Sequence, residues 1–120
     1  MQVSFHHAAI EVRDLFQSAL FYQDAFGFQV KEQLHVLGED LLFLTLEKFQ
    51  LELIACKEAT RNNTHTHLAF QVTHLDILMN KMEKMNVPIA EGPYELENGW
   101  RTVFYYGPDK ELLEVMELPY

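Results

Sequence analysis

Two hydrophobic periods alternate along this chain, in the same order in each half. At 8 to 12, Ala8, Ile10 and Val12 take every second position, as in a strand with one covered face. Leu15, Ala19, Tyr22 and Phe26 follow at i, i+4, i+7 and i+11, the single apolar stripe of a helix. Asp14 reads as its N-cap, with Gln17 three residues on, and Gly27 as the residue that ends it. Three extended segments come next: Phe28 to about Val36, Leu41 to Leu46, and Phe49 to Ala55, the last two joined tightly at Glu47-Lys48.

The second half repeats the order. Leu68, Phe70 and Val72 alternate as a strand, and a helix is expected from near Thr73 to before Pro88. Asp76 would stand in its capping box. Its stripe is Leu75, Leu78, Met79, Met82 and Met85, read as core packing. Extended segments follow at Ile89 to about Leu96, Trp100 to Tyr106 and Glu111 to Leu118, with a turn at Gly107-Pro108-Asp109-Lys110.

Each half is therefore βαβββ. The fold class is expected to be α+β, a single domain over 1–120 made of two βαβββ modules, 1–55 and 67–120. Together they would close an eight-stranded mixed-sheet cup. The linker 56–66, polar and rich in Asn and Thr, reads as a mobile connection.

Composition narrows the functions. Lys and Arg number nine against 18 Asp and Glu, a net charge of −9, which repels phosphate backbones and anionic lipid surfaces; no nucleic-acid and no membrane partner is expected. The single cysteine, Cys56, allows no intrachain disulfide and suits a reducing compartment. No apolar run approaches a membrane span, and the opening residues lack the pattern of a secretion signal, so a cytoplasmic location is expected.

Candidate chemistry comes from the repeat. The segment at 7 to 15, HAAIEVRDL, aligns with HLAFQVTHL at 67 to 75. Histidine recurs 60 positions on (7 to 67) and glutamate 62 positions on (52 to 114). Alternation puts His7, Ala9 and Glu11, and likewise His67, Ala69 and Gln71, on the strand face away from the helix, while His6 falls on the other face. Glu52 and Glu114 point the same way as those histidines, Glu114 among Leu112, Met116 and Leu118. A carboxylate in that company costs several kcal/mol unless paired or bound to a cation. Two imidazoles and two carboxylates suit a divalent first-row metal, so His7, Glu52, His67 and Glu114 are the candidate ligands. Arg101 reads as a surface ion-pair partner ahead of an anion-binding residue.

These residues resemble the vicinal oxygen chelate superfamily, which includes glyoxalase I, methylmalonyl-CoA epimerase, extradiol dioxygenases and the fosfomycin and bleomycin resistance proteins. The likeness runs through His7 to Leu15, Phe21-Tyr22, Phe26-Gly27-Phe28, and Gly107-Pro108-Asp109 before Leu113-Glu114-Val115. Lys110 stands where the family usually has glycine, and Gly107 where it usually has aspartate. The resemblance implies paired βαβββ modules holding one divalent ion (Ni, Co, Zn, Mn or Fe) on His7, Glu52, His67 and Glu114, the set of the glyoxalase I branch. It further implies a homodimer and a metal-stabilised enediolate formed from a small substrate, with Glu114 as the first candidate base and Glu52 as the second. Glu11 and Cys56 replace the arginine and asparagine that glyoxalase I uses for glutathione, which argues against that thiol.

The leading expectation is a metal-dependent lyase or isomerase of the glyoxalase type. One alternative is an Fe(II) extradiol-type dioxygenase using His7, His67 and Glu114. Another is a non-catalytic binder of a drug or metabolite, with an aromatic lining drawn from Tyr94, Trp100 and Tyr105.

Overall fold

The computed structural model describes residues 1–119; Tyr120, the last residue of the second expected module, lies outside the described residues. The chain divides into two compact units, 1–63 and 64–120.

In the first unit β1 (Ala8–Val12) leads to α1 (Leu15–Phe26), then β2 (Gln29–Val36), β3 (Glu39–Leu46) and β4 (Phe49–Ala55). The strands lie in the order β1-β4-β3-β2, with β1 parallel to β4 and the other pairs antiparallel. α1 forms where the alternation stops. Asp14 caps it by accepting from the Phe16 and Gln17 amides at 3.1 and 3.0 Å, and Gly27, at φ +83, ends it in the left-handed conformation that glycine adopts without strain. Its buried face is Leu15, Ser18, Ala19, Tyr22 and Ala25, packed against the side of the sheet that carries Ile10, Val12, Leu51 and Leu53. Phe26 is only half-buried. Ala25 takes the inner position, and Phe28, just past the helix, fills the core instead.

The linker is folded. Ala59–Asn62 form a short helix, α2, and Asn63–His65 a 3-10 turn. Asn62 Nδ2 donates to Glu11 Oε1 at 2.7 Å and Asn63 Nδ2 to the Glu11 carbonyl at 2.9 Å, while the Cys56 amide donates to the Val12 carbonyl at 2.8 Å. The asparagines that suggested mobility tie this segment to the end of β1.

The second unit repeats the plan: β5 (His67–Gln71), α3 (Leu75–Lys84), β6 (Ile89–Glu95), β7 (Arg101–Tyr106) and β8 (Leu112–Glu117), in the order β5-β8-β7-β6. α3 is capped differently from the expected capping box. His74 occupies the N-cap position without a side-chain hydrogen bond, and Glu117 Oε1 of β8 accepts from the Leu75 amide at 2.8 Å. Asp76 is engaged elsewhere: its carboxylate meets Arg101 Nη2 at 3.1 Å. Leu75, Leu78 and Met82 are the buried stripe, lying over Val103, Tyr105, Leu113 and Val115.

Candidate metal centre

The candidate ligands stand on the sheet face away from the helix in each unit, and two matching rows cross those faces. In the first unit Ala9 pairs with Glu52, Glu52 with Phe43, and Phe43 with Glu32. In the second, Ala69 pairs with Glu114, Glu114 with Phe104, and Phe104 with Glu91. A register shift precedes the outer glutamate in both, between Val30 and Glu32 and between Ile89 and Glu91. The backbone repeat is thus kept residue by residue across four strands.

Each histidine meets the glutamate of its own unit. His7 Nε2 lies 3.3 Å from Glu52 Oε1, and His67 Nε2 lies 3.1 Å from Glu114 Oε1. Glu52 and Glu114 have side chains 14% and 15% exposed, so each is the shielded partner of a more open imidazole. Aromatic rings back both pairs. The His7 and Phe43 rings stand edge to face at 5.0 Å, and His67 and Phe104 are tilted at 6.1 Å.

These separations fit a shared cation. Ligand atoms each about 2.1 Å from one ion and at right angles to one another are about 3 Å apart. Each pair has that spacing, with an imidazole nitrogen and a carboxylate oxygen facing one another. Among the described residues, no group of three or more His, Cys, Asp or Glu forms around either pair. Each unit therefore offers two donors.

Support for the donors differs between the units, and the repeat alignment alone did not single out the residues responsible. In the first, His6 Nδ1 lies 2.8 Å from His7 Nδ1 with the two rings edge to face, so the residue that strand alternation assigned to the other face holds the far nitrogen of a candidate ligand. In the second, Thr102 Oγ1 donates to Glu114 Oε2 at 2.6 Å. Leu41 occupies the position equivalent to Thr102, two residues before the phenylalanine on the central strand. That substitution was legible as a polar residue in one copy and an apolar one in the other.

Arg101 is placed away from the site. It pairs in register with Glu95 on one side and Glu117 on the other, on the face that α3 covers, and binds Asp76. Its hydrogen bond to Asp76, reinforced by the three carboxylates, raises its pKa further. Tyr105 also leaves the candidate lining: it is buried on the helix side, and burial raises its phenol pKa. Tyr94 pairs with Thr102 and does share the face of Glu114. Of the nine basic residues, only Lys31 and Arg101 lie within strands, and Lys31 Nζ is bound to Gln50 Oε1 at 2.9 Å.

The protein YwbC of Bacillus subtilis (strain 168) is 32% identical to this chain over 119 residues, covering 92% of this chain and 94% of YwbC. The crystal structure of a glutamate-to-glutamine mutant of fosfomycin resistance protein FosX from Listeria monocytogenes, complexed with Mn(II) and 1S,2S-dihydroxypropylphosphonic acid, superposes with a TM-score of 0.84 at 17% identity, covering 99% of this chain and 95% of that one. Lactoylglutathione lyase from Agrobacterium tumefaciens gives 0.75 at 24% identity, covering 97% and 94%. These structural likenesses carry the fold, a pair of βαβββ modules of the vicinal oxygen chelate type. A family model covers residues 4–115, and with it the chain belongs to the Glyoxalase/Bleomycin resistance protein/Dioxygenase superfamily.

Proposed function

We propose that this protein is a metal-dependent lyase or isomerase of the glyoxalase type, with His7, Glu52, His67 and Glu114 as the ligands of one divalent ion. The observation that carries the proposal is the pair of repeat-related His–Glu contacts, at 3.3 and 3.1 Å, each with a spacing suited to adjacent positions on one ion. Four donors require both modules, contributed by one chain or exchanged between two copies in a homodimer. A bound divalent cation would draw two adjacent substrate oxygens and stabilise negative charge developing on them. This chain's own residues do the rest. Phe43 and Phe104 wall the imidazoles, Ala9 and Ala69 leave space beside the carboxylates, and Glu114 and Glu52 are the groups able to accept a proton from the neighbouring carbon and return it.

A second reading, action on a phosphonate, is favoured by the likeness to FosX, whose structure holds a dihydroxypropylphosphonic acid. The placement of positive charge weighs against it. Arg101 faces α3 among three carboxylates, Lys31 is bound to Gln50, and Glu32 and Glu91 line the outer ends of the two rows. A neutral oxygenated substrate suits these faces better than a dianion.

The test is to load the purified protein with Mn(II), Co(II), Ni(II) or Zn(II) and follow exchange of carbon-bound hydrogen for deuterium in dihydroxyacetone by NMR. Metal-dependent exchange is the expected result. Failure to take up any of the four metals would overturn the reading, and iron as the resident metal would redirect it to the dioxygenase class.

A further inference from the structure

We infer that Thr102 is a positioning residue that holds one oxygen of Glu114 out of reach of the metal, leaving Glu52 as the carboxylate that moves. The inference rests on the metal-site reading above and divides the labour within it.

Thr102 is 2% exposed, so water has little access to compete for its hydroxyl. At 2.6 Å the Oγ1–Oε2 contact has the length of a hydroxyl donating to an ionised carboxylate. The other oxygen, Oε1, is the one that faces His67. Glu114 is thus oriented as a one-oxygen ligand, and it cannot swing away without leaving a buried hydroxyl unpaired. β-Branching stiffens the donor as well, since Thr has few χ1 choices on a strand.

The first module has the same strand geometry without this brace. Leu41, 5% exposed, presents methyl groups where Thr102 presents a hydroxyl. With an ion and a substrate bound, Glu52 would be the carboxylate free to turn, having no such bond to break. Its carboxylate would take the proton from the substrate carbon and return a proton to the substrate, exchanging with solvent in between. This reverses the order of the two bases that the family resemblance implied.

Calorimetric titration with Mn(II) tests the assignment on wild type, Thr102→Ser, Thr102→Val, Glu114→Gln, Glu52→Gln and the double variant Thr102→Val/Glu114→Gln, with thermal unfolding as the control for folding. Thr102→Val should weaken Mn(II) at least about tenfold, as loss of a ligand's supporting hydrogen bond does, and Thr102→Ser should stay within about threefold of wild type. Thr102→Val should add nothing in the Glu114→Gln background. Glu52→Gln should retain more affinity than Glu114→Gln. An unchanged Thr102→Val, an equal loss in both backgrounds, or the reverse order of the two glutamine variants would overturn the division of labour. Thr102→Ala reads the same loss should valine disturb the packing. A wild type that takes up no Mn(II) would instead sink the metal reading itself.

Discussion

The two modules share a backbone register and differ in which candidate ligand is braced. In the first, His7 is backed by His6 and Glu52 has an apolar neighbour in Leu41. In the second, Glu114 is held by Thr102. An internal repeat explains why two His–Glu pairs exist; in the proposed division of labour, the departures from the repeat let one carboxylate stay fixed while its counterpart moves. On the proposed reading, symmetry supplies the ligands and asymmetry the chemistry.

Removing the carboxylates breaks this comparison most severely. Glu114→Gln and Glu52→Gln should each abolish metal-dependent hydrogen exchange, by 100-fold or more on the order of general-base losses, while far-ultraviolet circular dichroism stays unchanged. Their causes should separate: the first through lost metal, the second with metal retained. Exchange at the wild-type rate in either variant would contradict the assignment.

Transferring the brace sharpens the comparison. Leu41→Thr gives Glu52 the hydroxyl that Glu114 already has, so metal affinity should hold while exchange slows by about tenfold, the scale of effect expected of residues that support ligands. Because Leu41 is buried, the variant should also lose about 1–3 kcal/mol of stability, measured by urea unfolding.

Most of this plan was legible because local rules agreed. Asp14, Gln17 and Gly27 punctuate α1 where the hydrophobic period changes, and alternation assigned Glu52 and Glu114 to the faces of their histidines. The cap of α3 was not legible. Its acceptor, Glu117, is 42 residues from Leu75 in sequence and reaches it through β8, a long-range contact that no nearby spacing encodes. The linker misled for a related reason: Asn62 and Asn63 look like loop residues until Glu11 supplies their acceptors, 51 and 52 residues away. Thr102 is not marked by the repeat, because it is a difference between the two copies and not an identity.

The helix caps provide a milder contrast. Asp14→Ala should cost about 1 kcal/mol, because two amides of α1 lose their acceptor. His74→Ala, at the equivalent position of α3, should stay within about 0.5 kcal/mol of wild type, and Glu117→Ala should show the loss instead. Chemical denaturation midpoints distinguish these outcomes.

The smallest effect is expected at Tyr105, whose buried hydroxyl has no hydrogen-bond partner among the described residues. Tyr105→Phe should leave stability within about 1 kcal/mol of wild type at neutral pH. Burial raises the folded pKa of this phenol, so the folded state keeps a proton that the unfolded chain gives up near its ordinary value of 10.0. The corresponding stability is present below that pH and lost as pH climbs through the folded value. Tyr105→Phe should therefore flatten part of the alkaline decline in melting temperature.

The most direct measurement of the central claim is the number of divalent ions bound per chain, read by calorimetry with Mn(II) and checked by elemental analysis. One ion per chain, lost when either the His7–Glu52 pair or the His67–Glu114 pair is replaced by alanine, is the predicted result. No bound ion, or binding that persists after one whole pair is removed, would contradict it.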